Sequence, residues 1–211
     1  MSMEIFPNTL LYEFGYCAIF AKGIAPADLL ARATDGDTQP VTLSRVEADV
    51  IVARGEDADE EDLPDQDLDA LYAAGLFDDG PLLRAGSHGG WSFVIEAEGP
   101  YLADDEVLKA VSEGTVALAV RESESGSTWI CYAENGDLLS SFDPLFPDQD
   151  YGTQPQVLEE LTGHVEAIRA GQRPDAFTNA VGKIRQALHC TVPPEADAGP
   201  LLAVRIAGGY D

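Results

Sequence analysis

Residues 128–147 read TWICYAENGDLLSSFDPLFP, and this stretch carries the clearest local fold signal in the chain. Its Asn135-Gly136 dipeptide readily adopts the positive φ angles of a two-residue type I′ turn, so TWICYAE and DLLSSF are predicted to form a β-hairpin. A two-residue loop also fixes which residues face each other across the two strands. The predicted facing pairs are Ala133 with Leu138, Cys131 with Ser140, and Trp129 with Phe142.

The end of this stretch, Ser141 to Pro147, combines two aromatic residues, two prolines and one acid. Asx side chains at turns accept backbone N–H groups, so we expect Asp143 to stabilise a rigid turn before Pro144. In that interpretation Phe142 and Phe146 cap the core. The alternative is that Asp143 and Phe146 belong to a functional rim.

The rest of the chain carries strand and helix signals on both sides of the hairpin. Branched and aromatic residues predict strands, whereas capping residues and hydrophobic periodicity predict helices. The expected strands are 15–22, one or two within 41–53, 91–97, 115–121 and 201–206, and the expected helices start at Pro26, Asp104, the Thr153/Gln156 capping box and Pro174. Residues 86–90, GSHGG, have the composition of a loop.

These elements predict an α+β fold in a single domain, residues 1–211. We expect a mixed, largely antiparallel sheet with helices packed on it, including two C-terminal helices. A chain of 211 residues is long enough to bury a sizeable core. Cys17, Cys131 and Cys190 each stand among apolar residues, so we expect three buried, reduced thiols.

The charge balance is strongly acidic, with 38 acidic and 12 basic residues and a net charge of -26. A chain without a basic patch gains nothing from counterion release, so direct binding to nucleic acid or to an anionic membrane is disfavoured. The N-terminus lacks the features of a secretory signal, and no apolar run approaches the roughly 20 residues that span a bilayer. We therefore expect a cytoplasmic protein.

The acidity is concentrated in residues 55–80, between Arg54 and Arg84, where the sequence has neither lysine nor arginine. Three interpretations stay open for this acidic segment: a solvated loop, a docking surface for a basic protein partner, and a metal site. Its spacing does not satisfy an EF-hand calcium loop, so we assign no metal ligand. The acids expected to contact a basic partner are Asp57, Asp59, Glu60, Glu61 and Asp62.

The sequence carries no recognisable catalytic apparatus. It contains no GxSxG nucleophile elbow, no GxxxxGK[ST] phosphate loop, no GxGxxG and no HExxH. His88 lies in the glycine-rich stretch, His164 is expected on the polar side of a helix, and His189 is expected at a helix end. We therefore assign no catalytic residue and no cofactor, and the sequence favours a non-enzymatic protein.

Several stretches taken together resemble an uncharacterised, mostly actinobacterial family that is classed only as a domain of unknown function. The matching stretches are GYCAIFAKGIAPADLL, GGWSFVIEAEG, SEGTVALAV, YAENGDLLSSFDPLFP and PLLAVRI, in that order. The SFDPLFP run after the hairpin is the distinctive part. The resemblance implies an actinobacterial cytoplasmic protein without assigned catalytic residues, and residues 55–80 look like an insertion relative to its pattern.

The sequence supports two hypotheses of function. The preferred one is an immunity-like or regulatory interaction protein that binds a basic protein partner through its negative surface. The alternative is a small-ligand binder or enzyme whose pocket lies around His88, Trp91 and Asp143. This alternative requires His88 and Asp143 to lie close together, because the pocket would combine an imidazole with a carboxylate.

Overall fold

The computed structural model describes residues 12, 15–34, 36, 39–97 and 99–208. The strands are β1 (Gly15–Lys22), β2 (Val41–Leu43), β3 (Leu82–His88), β4 (Trp91–Ala97), β5 (Val116–Ser123), β6 (Thr128–Glu134), β7 (Asp137–Phe142) and β8 (Leu201–Arg205). They form one sheet in the order β2-β8-β3-β4-β1-β5-β6-β7. Every neighbouring pair is antiparallel. The predicted α+β fold is therefore confirmed, with a sheet that is antiparallel throughout.

Helices cover both faces of this sheet. They are α1 (Pro26–Ala33), α2 (Arg45–Arg54), α3 (Leu68–Ala73), α4 (Asp105–Val111), α5 (Val157–Thr162), α6 (His164–Ala170), α7 (Ala176–Leu188) and α8 (Pro194–Ala198). We call the side under α2, α3 and α5 to α8 the first face, and the side under α1 and α4 the second face. Alternate residues of a strand point to opposite faces, so β5 gives Leu118 to the first face and Ala119 to the second.

The hairpin of β6 and β7 has the predicted turn. Asn135 and Gly136 have φ angles of 53° and 85°, the positive values of a type I′ turn. Ala133 faces Leu138, as expected for a two-residue loop. A β-bulge between Tyr132 and Ala133 then interrupts the ladder, because β7 contributes one extra residue there.

The bulge makes the other two predicted facing pairs wrong. Cys131 faces Ser141 and Ile130 faces Phe142. A shift of one residue moves a side chain to the opposite face of a sheet. Phe142 consequently enters the core of the first face, whereas Ser141 lies with Cys131 on the second face.

Of the one or two strands expected within residues 41–53, one is present, β2, and α2 begins directly after Ser44. The Ser44 hydroxyl accepts a hydrogen bond from the backbone N–H of Glu47 at 3.3 Å, and the Glu47 carboxylate accepts the Ser44 N–H at 2.7 Å. This reciprocal capping box outweighs the branched residues that follow it. The expected loop at 86–90 is also shorter, since β3 continues to His88 by pairing with β4.

The helix expected after Thr153 is two helices, α5 and α6. Gln156 precedes α5 without a side-chain cap, so the predicted capping box is wrong. Gly163, with a φ angle of 65°, separates the two helices. This break turns His164 toward the core, where it stacks on Phe142 with ring centroids 4.6 Å apart. His164 is therefore buried and does not lie on a polar helix side.

The C-terminal part of the chain completes the sheet and holds a buried ion pair. β8 lies between β2 and β3, and α8 before it carries the fully buried Asp197. Arg84 Nη1 and the Tyr12 hydroxyl donate hydrogen bonds to Asp197 Oδ1 at 2.9 and 2.7 Å. Arg84 Nη2 also donates to the Asp197 backbone oxygen at 2.7 Å. These contacts fasten α8 to the first face of the sheet.

Candidate ligand-binding site

A cavity of about 330 Å³ opens on the second face beside α4. This volume lies at the lower end of the range of about 300–1,000 Å³ that is typical of ligand pockets. Its floor consists of the small side chains Cys17 of β1, Ala119 of β5 and Cys131 of β6. Among the described residues, the helices packed on this face are two short ones, α1 over β3 and β4 and α4 over β5 to β7. Small floor residues under a short helix leave the space open.

The loop that precedes α4 forms one wall of the cavity. The buried carboxylate of Glu96 accepts the backbone N–H groups of Tyr101 at 3.1 Å and Leu102 at 2.7 Å, which ties this loop to β4. Asp104 then caps α4 by accepting the N–H of Glu106 at 2.8 Å, so the predicted N-cap is confirmed. The wall presents Leu102 at the closed end and the carboxylates of Asp104 and Asp105 near the opening.

Arg121, on β5, is the one basic residue among those that line the cavity. It faces Cys17 on β1 and Trp129 on β6 in the sheet register. Its Nε atom is buried without a hydrogen-bond partner. No carboxylate in the described part of the chain forms a salt bridge with it. A guanidinium of this kind can donate two parallel hydrogen bonds to a carboxylate.

Two aromatic residues line the cavity on the side of the hairpin. The rings of Trp129 and Tyr151 lie 6.1 Å apart at an angle of 46°. Trp129 Nε1 donates a hydrogen bond to Ser141 Oγ at 2.8 Å, which fixes the orientation of the indole. Tyr151 is 46% exposed and stands at the opening. The wall thus has a fixed inner ring and an accessible outer ring, and both can contact an apolar ligand body.

The chain reaches Tyr151 through a segment that we call the strap, residues 143–154. The strap starts at Asp143, whose carboxylate accepts the Leu145 N–H at 2.8 Å, so the predicted Asx turn is confirmed. It returns along β7, where Ser141 and Tyr151 exchange backbone hydrogen bonds of 2.8 and 3.0 Å. The Asp150 carboxylate accepts further hydrogen bonds from the Ser140 hydroxyl and the Ser141 N–H. The SFDPLFP run therefore leads into the strap, and the strap positions Tyr151 at the cavity.

The cavity floor is neutral. Burial raises the pKa of the Cys131 thiol to about 12, although its hydrogen bond with Ser141 acts in the opposite direction. Burial also raises the pKa of the Cys17 thiol, which Glu96 and Cys131 raise further and Arg121 lowers. Cysteine reacts as a thiolate, so neither thiol is activated as a nucleophile. Cys17, Cys131 and Cys190 are all buried and free, as expected.

The pocket predicted around His88, Trp91 and Asp143 is wrong. His88 ends β3 and Asp143 follows β7, and four strands lie between these two. At about 4.8 Å per strand, the lateral separation alone is roughly 24 Å. The alternating strand directions also place the two residues at opposite ends of the sheet. Trp91 faces His88 across the ladder but is buried, with Nε1 donating to the Leu188 oxygen at 3.1 Å.

Phe146, the remaining residue of the predicted rim, lies on the surface. It is 46% exposed, and the Arg173 guanidinium lies 5.5 Å from its ring centroid. It does not cap the core, whereas Phe142 is fully buried there. None of the predicted site residues lines the cavity, although Asp143 and Phe146 belong to the strap that also contains Tyr151.

The acidic segment is an ordered part of the fold. Leu63, Leu71 and Leu76 are buried in the core of the first face, and residues 68–73 form α3. The acids predicted to contact a basic partner lie mostly on the surface. Asp57, Asp59, Glu60 and Glu61 are exposed. Asp59 accepts the N–H groups of Glu61 and Asp62, and Asp62 pairs with Arg54 at 3.1 Å. Two of the five predicted contact acids thus also stabilise the segment itself.

Sequence reasoning missed Arg121, Asp105, Trp129 and Tyr151 as a group. These residues come from β5, α4, β6 and the strap, so only the strand order brings them together. One local signal existed. In β5 the second-face positions read Ala117, Ala119 and Arg121, and an arginine that continues a row of small buried residues indicates a charge at the edge of a cavity.

Among the described residues, no group of three or more His, Cys, Asp and Glu side chains could hold a metal ion. No helix among these residues is both long enough and apolar enough to cross a membrane.

A comparison with known protein families gives a match. A family model described as a family of unknown function, DUF6461, matches residues 8–176. This range contains every residue that lines the cavity, from Cys17 to Tyr151. It ends at the start of α7, so α8 and β8 lie outside it. No curated protein and no solved structure matches the chain.

Proposed function

The chain belongs to the DUF6461 family, a family of unknown function, and we propose that it binds a small organic carboxylate in the cavity on the second face. The observation that carries this proposal is Arg121, a half-buried guanidinium that lines the cavity with a buried and unpartnered Nε atom. Buried polar groups are normally hydrogen-bonded, and an unpaired one lowers stability. A ligand carboxylate supplies the missing acceptor.

The other walls favour an organic ligand with an apolar body. Cys17, Ala119 and Leu102 give an apolar closed end, and Trp129 offers an aromatic surface whose orientation Ser141 fixes. Asp104 and Asp105 stand near the opening. These carboxylates repel a second negative charge, so a monocarboxylate fits better than a phosphate dianion. The neutral thiols argue for binding without covalent chemistry.

Calorimetric titration with matched probes tests the proposal. Phenylacetate is compared with phenylacetamide, because the pair differs only in the charged group. We expect saturable binding of phenylacetate. The affinity for the amide should be lower by about tenfold or more, since hydrogen bonds to charged groups contribute roughly 1.5–3 kcal/mol. The same comparison with hexanoate and hexanamide covers a flexible apolar body.

Two variants locate the site. Arg121→Met keeps most of the side-chain length and should abolish the preference for the carboxylate. Ala119→Val leaves the charge in place and should weaken both probes by filling the floor. Arg54→Met, at an exposed arginine paired with Asp62, is the matched control and should bind like wild type. Equal affinity for acid and amide in wild type, or unchanged binding by Arg121→Met, would contradict the proposal.

A second candidate function is the binding of a basic protein partner by the acidic segment. What favours it is that Leu63, Leu71 and Leu76 anchor this segment in the core, so its exposed carboxylates are held at fixed positions. A fixed array of charges binds a complementary surface with less loss of entropy than a mobile loop does. The candidate partner surface is rich in lysine and arginine.

An oligolysine peptide is the probe for this second candidate. One variant carries amides in place of the exposed acids Asp57, Asp59, Glu60 and Glu61. The control variant carries amides at four exposed acids elsewhere, Glu113, Glu124, Glu134 and Asp137. We expect salt-sensitive binding that falls much more in the first variant than in the second. Equal losses in the two variants would show a general charge effect and would contradict a specific surface.

A further inference from the structure

The lining of the cavity includes both a positive and a negative side chain. Arg121 projects from β5, whereas Asp105 lies in the first turn of α4. Neither side chain has a hydrogen bond or an ion pair within the described part of the chain, so the two charges do not neutralise each other through a contact. Asp104, next to Asp105, also lines the opening while capping α4.

The two charges act on different parts of the cavity floor. Arg121 acts on Cys17, its register neighbour on β1, where its charge opposes the effect of burial on the thiol pKa. Asp105 acts on Cys131, where it adds to the larger effect of burial. Cys17 and Cys131 belong to β1 and β6, which are separated by β5. Arg121 and Asp105 thus come from different elements, β5 and α4, and influence different thiols of the floor.

The net charge of the protein supports a ligand that is not itself an anion. At a net charge of -26, the surrounding field repels anions and lowers their local concentration. A zwitterion has no net charge and escapes this repulsion. It can still place its carboxylate against Arg121, because that interaction is local.

We infer that the ligand is a zwitterionic amino acid or a similarly small molecule that carries both a carboxylate and an ammonium group. Its carboxylate binds Arg121, its ammonium group binds Asp105 with support from Asp104, and its side chain lies against Trp129 and the apolar floor. This inference rests on the proposed function, because it keeps the carboxylate at Arg121. It adds a second polar contact and names the class of ligand.

Three probes with the same apolar body separate the two charges: L-phenylalanine, its deaminated acid hydrocinnamate, and its decarboxylated amine phenethylamine. Titration calorimetry on the full chain should give the highest affinity for the zwitterion. The affinity for either single-charge probe should be lower by about tenfold or more. L-Leucine with isocaproate and isoamylamine repeats the comparison with an aliphatic body. These series fit a cavity of about 330 Å³.

Asp105→Asn is the decisive variant, with Glu106→Gln as its matched control. Glu106 belongs to the same helical turn but pairs with Lys109 at 2.6 Å, and it does not line the cavity. In Asp105→Asn the affinity for phenylalanine should fall by about tenfold, so that its advantage over hydrocinnamate disappears. The affinity for hydrocinnamate should stay the same or rise. Glu106→Gln should retain the wild-type order of affinities.

The outcomes separate the inference from the proposed function. If hydrocinnamate binds wild type as tightly as phenylalanine, and isocaproate as tightly as leucine, the ammonium contact is wrong and the carboxylate site stands. The same holds if Asp105→Asn leaves the order of affinities unchanged. If neither the zwitterions nor the acids bind, or if Arg121→Met binds them all like wild type, the proposed function fails as well.

Discussion

Trp129 donates a hydrogen bond from Nε1 to the hydroxyl oxygen of Ser141 at 2.8 Å, across the hairpin. Ser141 Oγ also lies 3.1 Å from Cys131 Sγ. The bulge between Tyr132 and Ala133 brings Ser141 to the second face. One irregularity in the hairpin thereby sets the orientation of the cavity's aromatic wall and one side of its floor.

Ser141→Ala should destabilise the fold and loosen this wall. The change removes the acceptor of a half-buried indole N–H, and an unsatisfied buried donor costs about 1–3 kcal/mol. Urea unfolding should show this loss, and the indole fluorescence should shift because the ring gains freedom. Ser125→Ala, at an exposed turn residue, serves as the control. A stability equal to that of Ser125→Ala would show that the Trp129 contact has little structural effect.

Gly152→Ala should detach the strap. Gly152 has a φ angle of 129°, and a β-carbon there would overlap the backbone oxygen of Leu139. Gly126 also has a positive φ angle, 75°, but open space around the β-carbon position. Gly126→Ala should therefore lose about 1–2 kcal/mol from backbone strain alone, and Gly152→Ala should lose more, as measured by thermal and urea unfolding.

Ligand binding gives an independent readout for the same pair of variants. Gly152→Ala should bind phenylacetate more weakly than Gly126→Ala does, because Tyr151 moves with the strap. Equal stability and equal binding in the two variants would contradict the role assigned to the strap.

Asp197→Ala should be among the most destabilising single changes in the chain. It leaves the buried Arg84 guanidinium without its partner, and breaking a buried ion pair typically costs about 3–5 kcal/mol. Arg84→Met combined with Asp197→Ala should recover part of the loss, since the buried Arg84 charge is then no longer left unpaired. A double-mutant cycle from urea unfolding measures the coupling. Additive effects of the two changes would mean that the pair does not fasten α8.

The stability of the protein should depend on the protonation of His164. Burial lowers the pKa of His164, although the nearby Glu159 carboxylate raises it. The unfolded chain therefore binds a proton at a higher pH than the folded chain does, and stability is lost as the pH falls through about 6.5, the pKa of unperturbed histidine. Between pH 7.5 and 5.5, roughly one unit on either side of that pKa, wild type should lose more unfolding free energy than His164→Gln. Identical losses would contradict a lowered pKa.

Local signals predicted the elements that depend on a few neighbouring residues. Asn135-Gly136 gives its turn because the positive φ angles are a property of that dipeptide. Asp104 and Asp143 stabilise their own helix start and turn in the same way. Ser44 and Glu47 also form a local capping box, which branched residues nearby obscured.

Features that depend on distant contacts were not predictable from the sequence. The bulge in β7 accompanies the pairing of Ser141 with Tyr151 of the strap, ten residues away. His164 is buried because a break at Gly163 turns it toward Phe142. The separation of His88 from Asp143 follows from the strand order, and so does the proximity of Arg121 to Cys17 and Trp129.

The most direct test of the central claim is a nuclear magnetic resonance titration of the Arg121 side chain. Its Nε–H signal is assigned by its absence from the spectrum of Arg121→Met. Addition of phenylacetate should move this signal in a saturable way and slow its exchange with water, because the ligand carboxylate accepts its hydrogen bond, whereas phenylacetamide at the same concentration should move it much less. A signal that stays in place at saturating phenylacetate would contradict a carboxylate site at Arg121.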